Sequence, residues 1–214
     1  MDFDEERREV ARFMRRAYSL KLTTTSGGNF SRRVNDEVIA ITPARLDKGR
    51  MRGHQVALMD LDGKNLTPDL IISSEGKMHL RIYQDHPNIG AVVHAHPVTA
   101  SVFCCCETPI RHDLFAEHYC LMQKPLLVPY AMTSGDALAD IVAEYAGKAP
   151  CLLLESHGIT TTGASLLQAF DRLELLEIAA RVTLMVPRLD GVKPLNDRQK
   201  EDLDALMAQV FASG

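Results

Sequence analysis

The sequence predicts an α/β layered domain, and three observations carry that prediction. Short β-rich runs gather in the middle of the chain, helical periodicities precede, separate and follow them, and the two kinds of element do not alternate as regular βαβ units. With 214 residues and 46% hydrophobic content the chain can bury a substantial core, so a single domain over residues 1–214 is expected. Its 13 glycines and 10 prolines are dispersed, and no low-complexity run or internal repeat divides it.

In chain order, Met1-Asp2-Phe3-Asp4-Glu5-Glu6 is acidic and lacks the basic start and apolar core of a signal peptide. Val10, Phe13, Met14, Ala17 and Leu20 recur at helical spacing, which predicts an amphipathic helix over residues 1–20 with Arg7, Arg8, Arg12, Arg15 and Arg16 on a solvated face. Residues 23–29 form a polar, glycine-rich loop. Val38 to Ile41 and Val56 to Met59 then read as antiparallel strands, with a turn at Asp60-Leu61-Asp62-Gly63. From Lys77 to Tyr83 the alternation of Met78, Leu80 and Ile82 suits a strand, but Ser73-Ser74-Glu75 opens like a helix and decides for one.

Ile89 to Ala95 is a buried strand, and Pro97 suits the first position of the next helix, where its missing N–H costs nothing. Ser134 is placed to cap a helix carrying Leu138, Ile141, Val142 and Tyr145, stopped by Gly147. Leu152-Leu153-Leu154 is a short buried strand. Ser165 and Gln168 have capping-box spacing and open the longest helix, whose apolar face includes Leu166, Phe170, Leu173, Leu176, Ala180 and Leu184. A last helix runs from about Asp197 to Phe211.

Composition narrows the function. A net charge of −4 gives no long-range attraction to nucleic acid or an anionic membrane, so an anionic substrate needs local donors. No apolar run approaches the roughly 20 residues that span a bilayer, and a soluble cytoplasmic protein is expected. The five cysteines are odd in number, and Cys104, Cys105 and Cys106 are consecutive, which suits neither a disulfide framework nor a zinc knuckle. They read as reduced, buried packing residues.

The chemistry concentrates in histidines. In Val92-Val93-His94-Ala95-His96-Pro97 two imidazoles sit two residues apart at a strand end, on one face, about 6 to 7 Å apart at their Cα atoms. His157 follows a second apolar strand, and a neighbouring position would bring it to the same ion. Three neutral nitrogens suit Zn²⁺ with a position left open, as in catalytic sites; Co²⁺ and Mn²⁺ fit the same donors. Spacing alone leaves open that these are hydrogen-bonded strand-end histidines. Glu75 is either a carboxylate favoured by a helix start or, beside a metal, a ligand of the empty ion that leaves to shuttle a proton. Ser73 and Ser74 before the helix, and the backbone at Gly27-Gly28-Asn29, offer donors of the kind that hold phosphate, although a cap and a turn explain them equally.

Ser26-Gly27-Gly28-Asn29-Phe30-Ser31, Ile41-Thr42-Pro43, Ser73-Ser74-Glu75, His94-Ala95-His96-Pro97 and His157-Gly158, in this order across nearly the whole chain, resemble the class II aldolase/adducin family. Within that family the chain is similar to aldolases of ketose 1-phosphates of the fuculose, 5-deoxyribulose or methylthioribulose type. The resemblance implies a three-layer α/β/α domain around a largely antiparallel sheet and a homotetramer with active sites between subunits. It also implies zinc on His94, His96 and His157, Glu75 as acid/base, and phosphate contacts from Gly28, Asn29, Thr42, Ser73 and Ser74. Tyr119 is the tyrosine implied to reach the adjacent subunit's site. Two departures stand out: Thr42-Pro43-Ala44-Arg45 replaces Thr-Pro-Thr-Gly, with Arg45 offering a compensating guanidinium, and no tyrosine follows Tyr145.

The implied reaction is reversible retro-aldol cleavage of a phosphorylated ketose to dihydroxyacetone phosphate and a short aldehyde. A methylthioribulose-1-phosphate dehydratase, with Glu117 as acid/base, and a pentulose-phosphate 4-epimerase are the alternatives. A non-catalytic adducin-like interaction module would be marked by lost metal ligands, and all three histidines and the glutamate are present.

Overall fold

The computed structural model describes residues 3–212, so Met1 and Asp2 of the acidic opening and residues 213–214 of the expected domain lie outside the described residues. The elements are α1 (Asp4–Ser19), β1 (Asn29–Arg33), β2 (Val38–Ile41), β3 (Ala57–Asp60), α2 (Gly76–Asp85), β4 (Ala91–Ala95), α3 (Val98–Val102), β5 (Leu126–Val128), α4 (Asp136–Ala146), β6 (Cys151–Leu154), β7 (Gly158–Gly163), α5 (Leu166–Met185) and α6 (Asp197–Ala212). The strands form one seven-stranded sheet in the order β3-β2-β1-β4-β7-β6-β5, antiparallel throughout except for the β5–β6 pair.

Period-two alternation along each strand divides the core into two. On one face, Val38, Ala40, Ala91, Val93 and Ala95 pack with Phe13 and Met14 of α1 and Phe170, Leu173 and Leu176 of α5. On the other, Ile39, Met59 and Val92 pack with Met78 and Ile82 of α2 and Leu138 and Val142 of α4. The result is the expected three-layer α/β/α arrangement. It places Asn29 and Ser31 of β1 beside His94 and Val92 of β4, and His94 beside Thr160 of β7, in a continuous row across the three central strands.

Several local expectations are corrected. Pro97 precedes α3 as its N-cap, in extended conformation (ψ 136°), instead of occupying the first helical position. Ser134 does not cap α4: it takes a left-handed conformation (φ 66°) in a turn where Gly135 N–H donates to Met132 O, and Gly135 becomes the N-cap. Ser165 does accept from Gln168 N–H, but the Gln168 side-chain oxygen accepts from Ala164 N–H, one residue earlier than a capping box has it. In the last turn of α5 the buried residue is Thr183, whose hydroxyl donates to Ala179 O and accepts from Arg111 N–H, so Leu184 is left half exposed.

The arginines of α1 are not simply solvated. Arg7 donates to Val56 O and His54 O and Arg15 to Met51 O, so these two guanidinium groups tie down the segment before β3, while Arg16 pairs with Glu174 of α5. Cys104 and Cys151 are buried as expected, whereas Cys105 and Cys106 are exposed, because the chain turns into a short 3₁₀ segment at Phe103–Cys105 that buries only its first residues.

Candidate active site

His94 and His96 are carried at the end of β4, and His157 sits in the turn between β6 and β7, the strand paired with β4. One ring nitrogen from each of the three lies within 4.8 Å of the others. The ring centroids are 4.8 Å apart for His94 with His96, 4.8 Å for His94 with His157 and 5.7 Å for His96 with His157. Close backbone approach is required here: a Cβ at Gly158 would collide with the His96 ring and the Ala95 carbonyl, and Gly28 (φ +68°) lies against His94 O.

Glu75 is the N-cap of α2 and points into this cluster. Its Oε1 lies 2.8 Å from His157 Nε2 and its Oε2 3.4 Å from His94 Nε2. Asn29 Nδ2 donates to Oε2 at 2.6 Å. Burial works against a charge on Glu75, but the hydrogen bonds it accepts from His157 and from the Asn29 amide outweigh it and hold the carboxyl well below the usual carboxylate range. Burial pushes the imidazoles of His94 and His96 down from their ordinary value, with Glu75 opposing in both, so both are neutral, as metal ligands must be.

The residues fit a divalent ion. His94 Nε2 is buried without a hydrogen-bond partner, a costly state for a polar atom that a bound ion would relieve. The other nitrogen of His94 meets Thr160 Oγ1 at 3.2 Å, the kind of support that fixes the ring of a metal-binding histidine.

The expected phosphate-binding residues are only partly brought together. Asn29 is 2% exposed and its amide is committed: Nδ2 donates to Glu75 and, at 3.2 Å, to Ser73 Oγ. Thr42 is fully buried, with its hydroxyl accepting from Phe30 N–H, so its side chain is not presented to a ligand. Gly28 and Ser73 lie beside the cluster, and Ser74 is exposed at the start of α2. Arg45 is exposed, in a left-handed conformation, next to Ala44, whose N–H donates to Ile71 O. Tyr119 is elsewhere, in a π-helical turn (His118–Met122), with its hydroxyl donating to Asp204 of α6 at 3.1 Å.

Sequence reasoning missed Thr160, His79, Ser31 and Tyr83. His79 is fully buried and touches Asn29 and Ser31. The available signal was the spacing Glu75, His79, Tyr83, four residues apart on one face of a helix.

Known proteins share this fold. Residues 8–184 match the family described as Class II Aldolase and Adducin N-terminal domain. The chain is 27% identical to a 3-oxo-tetronate 4-phosphate decarboxylase of Haemophilus influenzae, covering 87% of this chain and 90% of that protein. It is 28% identical to a methylthioribulose-1-phosphate dehydratase of Hahella chejuensis (80% and 89%) and 30% identical to an L-fuculose phosphate aldolase of Methanococcus maripaludis (85% and 97%). A solved L-fuculose 1-phosphate aldolase superposes with a TM-score of 0.82 at 28% identity, over 97% of this chain and 96% of that one. With most of its length matched and the histidine cluster and glutamate in place, the chain belongs to the class II aldolase and adducin family, on its enzymatic, lyase side.

Proposed function

We propose that this protein is a zinc-dependent aldolase that reversibly cleaves a ketose 1-phosphate to dihydroxyacetone phosphate and a short aldehyde. The observation that carries the proposal is an ionised Glu75 set against His157 and His94 at the mouth of a three-histidine cluster. Cleaving the C3–C4 bond leaves negative charge on the dihydroxyacetone phosphate fragment as an enediolate. Zn²⁺ on His94, His96 and His157, the ion favoured by three imidazole donors, would supply Lewis acidity toward that charge.

In the reverse direction the Glu75 carboxylate removes the proton from C3; in the cleavage direction it first takes up a proton from water reaching the site and then passes it to C3, while the proton of the C4 hydroxyl leaves to solvent. Asn29 holds the carboxylate in place through its 2.6 Å bond, a role that replaces the phosphate contact expected of its side chain. Phosphate is then left to the backbone at Gly28, to Ser73 and Ser74, and to Arg45 as a nearby guanidinium. Tyr119, remote from the cluster within one chain, would handle the proton on the C4 oxygen from a second copy, in keeping with a homotetramer that has interfacial sites. A single domain over residues 1–214 and a cytoplasmic location complete this reading; among the described residues no helix is long and apolar enough to cross a membrane.

The similarity to the decarboxylase of Haemophilus influenzae supports a second reading. Loss of CO₂ from a 3-oxo acid that carries a 2-hydroxyl leaves the same enediolate, so the same Glu75 would protonate the same kind of carbon.

The test follows dihydroxyacetone phosphate, aldehyde and CO₂ from a panel of ketose 1-phosphates and phosphorylated 3-oxo acids, with wild type and Glu75→Gln both loaded with zinc. Wild type should release dihydroxyacetone phosphate with an aldehyde, and Glu75→Gln should lose about 10²- to 10⁴-fold in kcat while keeping its metal. Dihydroxyacetone phosphate with CO₂ would select the decarboxylase. Consumption without dihydroxyacetone phosphate would select the dehydratase or epimerase, and no turnover at all would favour the adducin-like module.

A further inference from the structure

Behind Glu75 a line of polar groups runs into the interior between α2 and the sheet. Asn29 Oδ1 meets His79 Nε2 at 2.5 Å, His79 Nδ1 meets Ser31 Oγ at 2.6 Å, and Ser31 Oγ meets the Tyr83 hydroxyl at 2.8 Å. His79 and Ser31 are fully buried, Tyr83 is 1% exposed and Asn29 2%. Two periodicities mesh to build it. Glu75, His79 and Tyr83 step along one helix face at about 6 Å per four residues, and Asn29 and Ser31 step along one strand face at about 7 Å per two residues. Each strand side chain therefore falls between two helix side chains.

The proton directions follow from the chemistry of the groups. The Glu75 carboxylate only accepts, so the Asn29 amide must present Nδ2 to it and Oδ1 to His79; the flipped amide would set two acceptors 2.6 Å apart. An amide oxygen only accepts, so His79 carries its proton on Nε2. Its Nδ1 is then a bare acceptor of a hydrogen bond from the Ser31 hydroxyl, and Ser31 Oγ accepts from the Tyr83 hydroxyl. Burial pushes the His79 pKa down to about 4, which agrees with a neutral ring.

We propose that Tyr83, Ser31 and His79 form a one-way hydrogen-bond chain that fixes, through the Asn29 amide, the orientation of the Glu75 carboxylate, so that His79 is a positioning residue for the proton transfer at Glu75. The chain of donors is set by geometry and burial on this molecule. Its effect on turnover rests on the acid/base reading of Glu75 given above.

Two measurements test it, and the first does not depend on activity. Imidazole nitrogen NMR of zinc-loaded, histidine-labelled protein, with the His79 signals assigned by their loss in His79→Gln, should show His79 neutral with the proton on Nε2. A proton on Nδ1, or a protonated ring at neutral pH, would overturn the proposal.

The second measurement is solvent deuterium exchange into the hydroxymethyl carbon of dihydroxyacetone phosphate, which isolates the Glu75 step. His79→Leu should lower kcat for exchange by about 10- to 100-fold, with KM and zinc content unchanged. His79→Gln, which keeps a donor toward Asn29, should recover most of the loss. Exchange at the wild-type rate in His79→Leu, or an equal loss in both variants accompanied by loss of zinc, would overturn the positioning role. If the wild type itself exchanges nothing, the acid/base reading fails, and the tautomer alone decides the existence of the chain.

Discussion

Lys48 carries its ammonium into the protein at 1% exposure and donates it to Pro43 O at 2.7 Å, while its backbone N–H donates to Thr25 O at 2.9 Å. One residue thus links the loop before Gly28 to the loop after Thr42. Burial pushes the Lys48 pKa down to about 8. Between that value and the ordinary one the unfolded chain holds a proton that the folded chain has released, so stability rises with pH through this window. Below pH 8 both states are protonated and the cost of burying the charge, on the order of 3 kcal/mol from the size of the shift, is constant. Relative to Lys48→Met, the wild type should gain stability between about pH 8 and pH 10.5. Paired urea denaturation curves across that range measure the difference, in which the other lysines cancel. A difference that does not change with pH would show that the amine is solvated and that its bond to Pro43 O is incidental.

At the scale of elements, α3 shows how the site is held from outside its own residues. This five-residue helix follows directly on His96-Pro97, and no side chain on its own element caps it. Its free N-terminal N–H groups are taken by Glu177 of α5, which accepts from Thr99 N–H at 3.3 Å, Ala100 N–H at 2.8 Å and Thr99 Oγ1 at 2.7 Å, and pairs with Arg181 at 3.0 Å. Glu177→Ala leaves the buried Ala100 N–H and the part-buried Thr99 N–H and hydroxyl without partners, which should destabilise the protein by about 2 to 4 kcal/mol. It should also weaken zinc affinity by loosening the segment that carries His96. Thermal denaturation and competition with a zinc chelator measure the two effects; unchanged zinc affinity in a destabilised variant would confine Glu177 to a packing role.

How much of this was legible depended on whether the signal was local. The His94-x-His96 pair and His157 each follow an apolar strand, so their convergence could be anticipated from two short segments. Strand β7 was missed because Gly158-Ile159-Thr160-Thr161-Thr162-Gly163 has no apolar alternation: Thr160 meets His94, and Thr161 on the opposite face donates to Ala169 O. Strand β1 was missed for a related reason, since Asn29 and Ser31 face inward but are polar, their partners lying on a helix about fifty residues away. A residue whose burial is satisfied by distant hydrogen bonds leaves no mark in the hydrophobic pattern around it.

Across the whole molecule the sheet order matters most. Strands β1, β4 and β7 are the three central strands, and the row Asn29, His94 and Thr160 crosses all of them, with His157 entering β7. The histidine cluster is therefore built into the middle of the fold, where two of its ring nitrogens are buried without partners. An ion held by the three rings in the folded chain has no equivalent site in the unfolded one, so binding should add stability by mass action, about 2.7 kcal/mol at a hundredfold excess over Kd. For a chain of this size that corresponds to a Tm higher by roughly 5 to 10 °C. Stripping the metal with a chelator should lower Tm by that amount and readdition of zinc should restore it, while His94→Ala should melt at one temperature with or without zinc. A wild type indifferent to the chelator would show that the cluster is held by Glu75 and its hydrogen bonds alone, and an alanine variant as sensitive as the wild type would place the stabilising ion somewhere other than these three histidines.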